Sequence, residues 1–305
     1  MKTPKVTWNL PWGLLMAALL VGGITRLVSL LSYTTVDIGA APDQIRDAFV
    51  YMGMRGGDFP LLGPSSSVGG YGLPPLYFYL VYPATWLGVS PGWQVLPNSI
   101  FSFLSIPLFG WFVYRLLGWA AEPRRRWIAG LASLWYSLLF GFIFISNFQW
   151  NPVPIPFFLL AFVLLYEYQF ADAQPAGGNG QRDRKNSYKQ LISWALYGVA
   201  LAVLVSCHST TLFVMPVVYF GSVVFYLVRR RRWLGPLVSA LAAIVALAPY
   251  WYGEVLRGGA NTKRILSVIR GADGESQSLG MLGRMGRMGQ NFFELGWQTY
   301  WVGLG

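Results

Sequence analysis

Seven long apolar stretches separated by arginine-rich turns constrain this chain more than any other feature. They are Trp12–Leu31, Val95–Leu117, Trp127–Ile145, Val153–Phe170, Leu191–Val205, Leu212–Val228 and Trp233–Trp251. A helix needs roughly 20 mostly apolar residues to cross a bilayer. Backbone inside hydrocarbon must also bond to itself, which a helix does without help. The pattern therefore predicts an all-α integral membrane protein with about seven transmembrane helices. Only 11% of the residues are charged, against about 25% in soluble domains. Cys207 is the only cysteine, so an intrachain disulfide is excluded.

Charge orders these stretches. Basic residues cluster at Lys2 and Lys5, at Arg124–Arg126, at Arg182, Arg184, Lys185 and Lys189, and at Arg229–Arg232. Short loops rich in Lys and Arg favour the cytoplasm. A further apolar stretch, Leu73–Val89, opens on Pro74-Pro75 and contains Pro83. If it does not cross, all four basic clusters fall on one side. It is therefore expected to be a non-spanning juxtamembrane helix, with the N-terminus cytoplasmic. Eight of the 12 acids then lie outside: Asp37, Asp43, Asp47, Asp58, Glu254, Asp273, Glu275 and Glu294. The net charge of +11 reads as a topology signal and not as a nucleic-acid surface. Trp12–Leu31 is long and contains Arg26, which suits an uncleaved first span better than a signal peptide.

The expected organisation is a transmembrane module over residues 1–252, with a long first extracytoplasmic loop at 32–94. A second extracytoplasmic segment follows at 253–305, and the chain ends before any further span. There is no P-loop and no His-Glu-x-x-His pattern.

The groups suited to chemistry gather on the outer side. Asp43 and Asp47 are spaced i, i+4 with Arg46 beside them, which places them on one helical face. Asp43 reads either as a helix N-cap after Pro42 or as a general base whose pKa a second acid and desolvation raise. Arg26 lies inside the first span, about 7–8 Å from its outer end. It either snorkels to the interface or faces an anionic lipid head. His208, the only histidine, is an interfacial turn residue or a donor to phosphate or sugar. Trp150 and Asn151 lie in one outer turn. Glu254, Lys263 and Arg264 lie in the second outer segment.

Four of these features together resemble the GT-C-type glycosyltransferases, near the protein O-mannosyltransferase and lipid A aminoarabinose transferase group. They are Arg26 late in the first span, Asp43 and Asp47 early in the first outer loop, the Pro-Pro-Leu-Tyr-x-Tyr element from Pro74 to Tyr79, and basic inner turns alternating with aromatic outer ones. The resemblance implies a GT-C module with juxtamembrane helices in the first loop, in a cell membrane of bacterial type. It implies an inverting transfer of a sugar from a polyprenyl-phosphate donor to a lipid, glycan or protein acceptor. Asp43, with Asp47, is the implied base. Arg26, Arg46, Tyr77, Trp150, Asn151, His208, Glu254, Lys263 and Arg264 are the implied substrate contacts. Membrane lipids are the remaining partners. No organic cofactor is implied; the usual Asp-Glu pair is Asp43-Gln44 here, which leaves a divalent metal open. Family members usually carry further spans, so a fragment, a short member and an inactive relative are all compatible with this length. The rival reading is a multispan transporter or lipid flippase without covalent chemistry, which would place polar groups near the midplane.

Overall fold

Where side chains offer no polar partner to the backbone, a helix is the way to satisfy it, and the apolar stretches fold accordingly. A computed structural model describes residues 10–32, 42–66, 69–88, 91–171 and 182–270. Its helices are α1 (Leu10–Ser32), α2 (Pro42–Arg55), α3 (Leu76–Val81), α4 (Pro91–Leu116), α5 (Glu122–Leu138), α6 (Phe140–Ile145), α7 (Ile155–Ala171), α8 (Arg182–Cys207), α9 (Ser209–Arg230), α10 (Leu234–Ala246), α11 (Ala248–Leu256) and α12 (Ala260–Arg270). Among the described residues the one β-like pairing is an isolated bridge between Ser65 and Gly72.

Among the described residues four helices are long and apolar enough to cross a bilayer: α1, α4, α8 and α9. The pair α10–α11, bent by 57°, makes a fifth if counted as one span. The two other expected spans depart from a simple crossing. Val153–Phe170 forms a helix of 17 residues. Trp127–Ile145 is broken at Leu139, whose extended backbone (ψ 108°) separates α5 from α6. Leu73–Val89 yields the six-residue α3 and a 3-10 turn at Tyr82–Trp86. Together these reach roughly 19 Å, short of a hydrocarbon core of about 30 Å.

Two cores hold the bundle. One joins α7, α8, α9 and α10 through Phe162, Trp194, Tyr197, Leu204, Tyr226 and Ala243. Here α8 and α10 touch through backbone: a Cβ on Gly198 would lie 2.0 Å from the carbonyl oxygen of Ser239. The other joins α1, α4 and α5 through Ala18, Ile106 and Tyr136.

Contacts sort the charged and polar groups to opposite ends of the bundle. At one end Arg115 pairs with Glu167, Arg125 bonds the Tyr114 carbonyl, and Arg230 bonds the Phe170 carbonyl. These join the ends of α4, α7 and α9 to the start of α5. At the other end Asn98 donates to the carbonyls of Phe148 and Trp150, and Asn151 donates to the Cys207 carbonyl. That end also carries α2, α3 and α12.

Arg26 sits between these ends, 2% exposed. Nε donates to Ser102 Oγ at 2.9 Å and Nη1 to the carbonyls of Gly22 and Ser137 at 3.1 and 3.4 Å. Ser102 Oγ donates in turn to the Phe142 carbonyl. Arg26 therefore serves backbone on both sides of the α5–α6 break, and its Nη2 has no hydrogen-bond partner among the described residues. Arg26→Lys keeps the charge but loses the fork. Its expected cost is about 1–3 kcal/mol, checked as a lower melting temperature in detergent.

Candidate functional site

At the end away from the arginine clusters, α2 packs a four-residue stripe against the protein. Gln44, Asp47, Tyr51 and Met54 follow helical spacing and are all buried. Pro42 takes the first helical position, where its missing N–H costs nothing. Asp43 comes next, inside the first turn, so it is not the N-cap.

The two carboxylates therefore differ sharply. The Asp43 side chain is 60% exposed and that of Asp47 is 1% exposed. Arg46 bridges them, with Nη1 at 2.8 Å from Asp43 Oδ1 and Nη2 at 2.6 Å from Asp47 Oδ1. Nε adds a second bond to Asp47 Oδ1 at 2.8 Å. A guanidinium thus occupies the place between the acids where a cation would sit. Burial pushes the Asp47 carboxyl up to about 6, against the opposing pull of Arg46. Among the described residues no three His, Cys, Asp or Glu side chains converge as a metal cluster would.

Beneath Asp47 lie two phenols. Tyr51 and Tyr77 are fully buried, and burial raises both far above the usual phenol range. Both feel the Asp47 charge, so they stay neutral beside it. Tyr77 accepts a bond from Asn98 Nδ2 at 3.2 Å. Tyr51, Met54, Tyr77, Phe78 and Val81 form the apolar floor.

The first loop acts as a hub above this floor. Ser65 Oγ accepts from Arg46 Nη1 at 3.2 Å. Ser66 Oγ lies 3.0 Å from Ser209 Oγ, and the Tyr71 ring meets Phe213 edge-on. Asn261 of α12 clamps Gly72 from both sides: Oδ1 accepts from its N–H at 2.7 Å and Nδ2 donates to its carbonyl at 2.9 Å. Arg264 Nη1 donates to the Gly70 carbonyl at 3.2 Å. Lys263 beside it is exposed.

The remaining candidates take varied places. His208 caps α9, with Nδ1 accepting from the Thr210 N–H at 3.2 Å. Burial lowers its pKa, so the neutral ring carries its proton on Nε2. Glu254 is buried and holds the first turn of α12 through Thr262 N at 2.7 Å. Asn151 is buried on the Cys207 carbonyl, while the Trp150 ring is half-exposed. Arg26 belongs to the bundle interior and not to this site. Tyr51, Asn98 and Ser66 were not expected from sequence. Tyr51 had a signal, one helical turn after Asp47. Asn261 stands out in the sequence with Thr262, Lys263 and Arg264 as an outer-face polar run, but nothing there signals its pairing with Gly72, 189 residues away.

No protein-family model, no curated protein and no solved structure matches this chain.

Proposed function

We propose that the chain is the membrane module of a glycosyltransferase using a polyprenyl-phosphate sugar, with Asp47 as the general base. The observation that carries this reading is the Asp47 carboxyl, buried at the loop end of the bundle with a pKa near 6. A base that titrates near operating pH is both available and strong enough to accept a proton. Both Arg46 bonds fall on Oδ1, which leaves Oδ2 for the acceptor's proton. The acceptor oxygen or nitrogen then attacks the anomeric carbon. The bond from that carbon to the phosphate oxygen breaks with inversion, and the electron pair leaves on the polyprenyl phosphate. Charge grows on that phosphate in the transition state, so nearby cations favour the step. Arg264 and Lys263 beside the hub loop, and His208 Nε2–H beside Ser209, are the groups assigned to it. The resemblance to GT-C enzymes supports the lipid donor, and the buried acid supports the chemistry.

In this reading α5–α6, α7 and α10–α11 all cross, giving seven spans. The arginine end is cytoplasmic and the Asp47 end extracytoplasmic. Asp58→Cys is then expected to react with an impermeant thiol reagent in intact cells, in a background lacking Cys207. Arg124→Cys and Arg232→Cys should react only after lysis. The reverse pattern would invert the orientation and remove the site from the outer face.

The helix breaks at Leu139 and Leu247 favour a transporter instead, since broken helices line transport sites. One assay separates the two. Purified protein in vesicles is given a radiolabelled polyprenyl-phosphate sugar and candidate acceptors. Labelled product supports the transferase; lipid movement without product selects the transporter.

A further inference from the structure

At the end of the bundle opposite Asp47, α1 rests on α5, where a Cβ on Gly130 would lie 3.0 Å from Leu14 Cβ, and α1, α4 and α5 border a common cleft. Nearer the middle they close on one another through Ala18, Ile106 and Tyr136 and through the Arg26 bonds. One more contact closes α4 on α5, where a Cβ on Gly110 would fall 2.0 Å from Ser133 Oγ. Beyond it the three helices border a half-open cleft of about 490 Å³, walled by Leu15, Pro107, Gly110, Ala129 and Gly130. Its walls are apolar or small side chains. The rim is different. Trp12 and Trp111 stand half-exposed there, as ring side chains do at a membrane interface. Arg126 and Glu122 complete it. Arg125 and Arg126 both pair with Glu122, so two cations face one acid and the rim keeps a net positive charge.

We propose that this cleft binds one acyl chain of an anionic phospholipid, with the phosphate held at the rim by Arg126. The proposal is independent of the transferase reading. The volume falls inside the roughly 300–1,000 Å³ typical of small-molecule sites. An acyl chain gains little by leaving the bilayer, which is as apolar as the cleft walls. Preference must therefore come from the headgroup charge and from the fit of the chain against α5. A phosphate shares Arg126 with Glu122, while Arg125, bonded to the Tyr114 carbonyl, keeps the local charge positive, and charge-assisted bonds to Arg are the strong ones. A polyprenyl phosphate offers the same chemistry, so it is the competitor to exclude.

Native mass spectrometry of the delipidated full chain provides the test, titrating phosphatidylglycerol against phosphatidylcholine with identical chains. One phosphatidylglycerol should be retained at concentrations about tenfold below phosphatidylcholine. Ala129→Phe should abolish this retention by filling the cleft, and Arg126→Gln should reduce it to the phosphatidylcholine level. Equal retention of the two lipids overturns the proposal. So does retention unchanged in both variants, or tenfold tighter retention of polyprenyl phosphate. The wild type supplies a second measurement that no misfolded variant can compromise. Phosphatidylglycerol with a photoactivatable acyl chain should label residues 11–15 and 107–133 selectively. Equal labelling of α9, whose lipid-facing side is as open, overturns it too.

Discussion

Asp47→Asn should lower sugar transfer by about 10²–10⁴-fold, the usual loss when a positioned base is removed. Asn keeps the shape and removes the proton acceptor. Stability should move the other way. Burial raises the Asp47 pKa to about 6, so the fold favours the protonated acid. The stability this confers is complete below the unfolded value near 4 and is lost as pH rises through 6. Above pH 6 the wild type carries a buried charge at a cost on the order of 2–3 kcal/mol, which Asn avoids. The variant should therefore be inactive yet melt at the same temperature or higher at pH 7.5. Wild-type transfer should rise with pH around an apparent pKa near 6. Asp43→Asn is the comparison, because its side chain is 60% exposed and solvent screens it. Full transfer by Asp47→Asn, measured with polyprenyl-phosphate sugar, would refute the base assignment. An inactive Asp43→Asn beside it would return the role to the outer acid.

Gly198→Ala should be the most damaging small substitution in the bundle. Two effects compete. Replacing glycine by alanine inside a helix gains up to about 1 kcal/mol. Against this, the new methyl would lie 2.0 Å from the Ser239 carbonyl oxygen and 3.1 Å from the Ala243 nitrogen. Those atoms are backbone and cannot swing aside as a side-chain tip does. The helices α8 and α10 must separate along their contact, and overpacking of this kind costs about 1–3 kcal/mol, occasionally more. A drop of several degrees in melting temperature is expected, with low yield. Gly221→Ala on α9 is the control, since nothing lies within 4 Å of its Cβ position. There the propensity gain stands alone, and the variant should be as stable as the wild type or more so.

The long helices were legible because length and apolar composition alone define them: α1, α4, α8 and α9 lie where the hydropathy pattern puts them. The break at Leu139 was not legible. Its neighbours are apolar and contain no proline, and the carbonyls around it are met by Arg26 and Ser102 from two other helices. The acidic site was half legible. An i, i+4 pair shares a face, but four residues rotate a helix by about 40° past a full turn. That small angle puts Asp47 on the buried edge and Asp43 on the open one. The polar stripe of Gln44, Asp47 and Tyr51 carries no hydrophobic signal, so its burial depends on α3 and the loop packed against it. The depth of Arg26 along α1 was readable from sequence, whereas the direction of its side chain, toward Ser102 and the Ser137 carbonyl, was not.

The Asn261 clamp sets an order of events during synthesis. Gly72 leaves the ribosome 189 residues before the asparagine that holds it. At roughly 5–20 residues per second that interval is about 10–40 s. Until then the loop backbone at Gly72 has only water as a partner. The bundle can insert helix by helix, but this loop is clamped only by one of the last described helices to emerge. A ribosome stalled before residue 260 would therefore leave an inserted bundle whose first loop is still unclamped at Gly72.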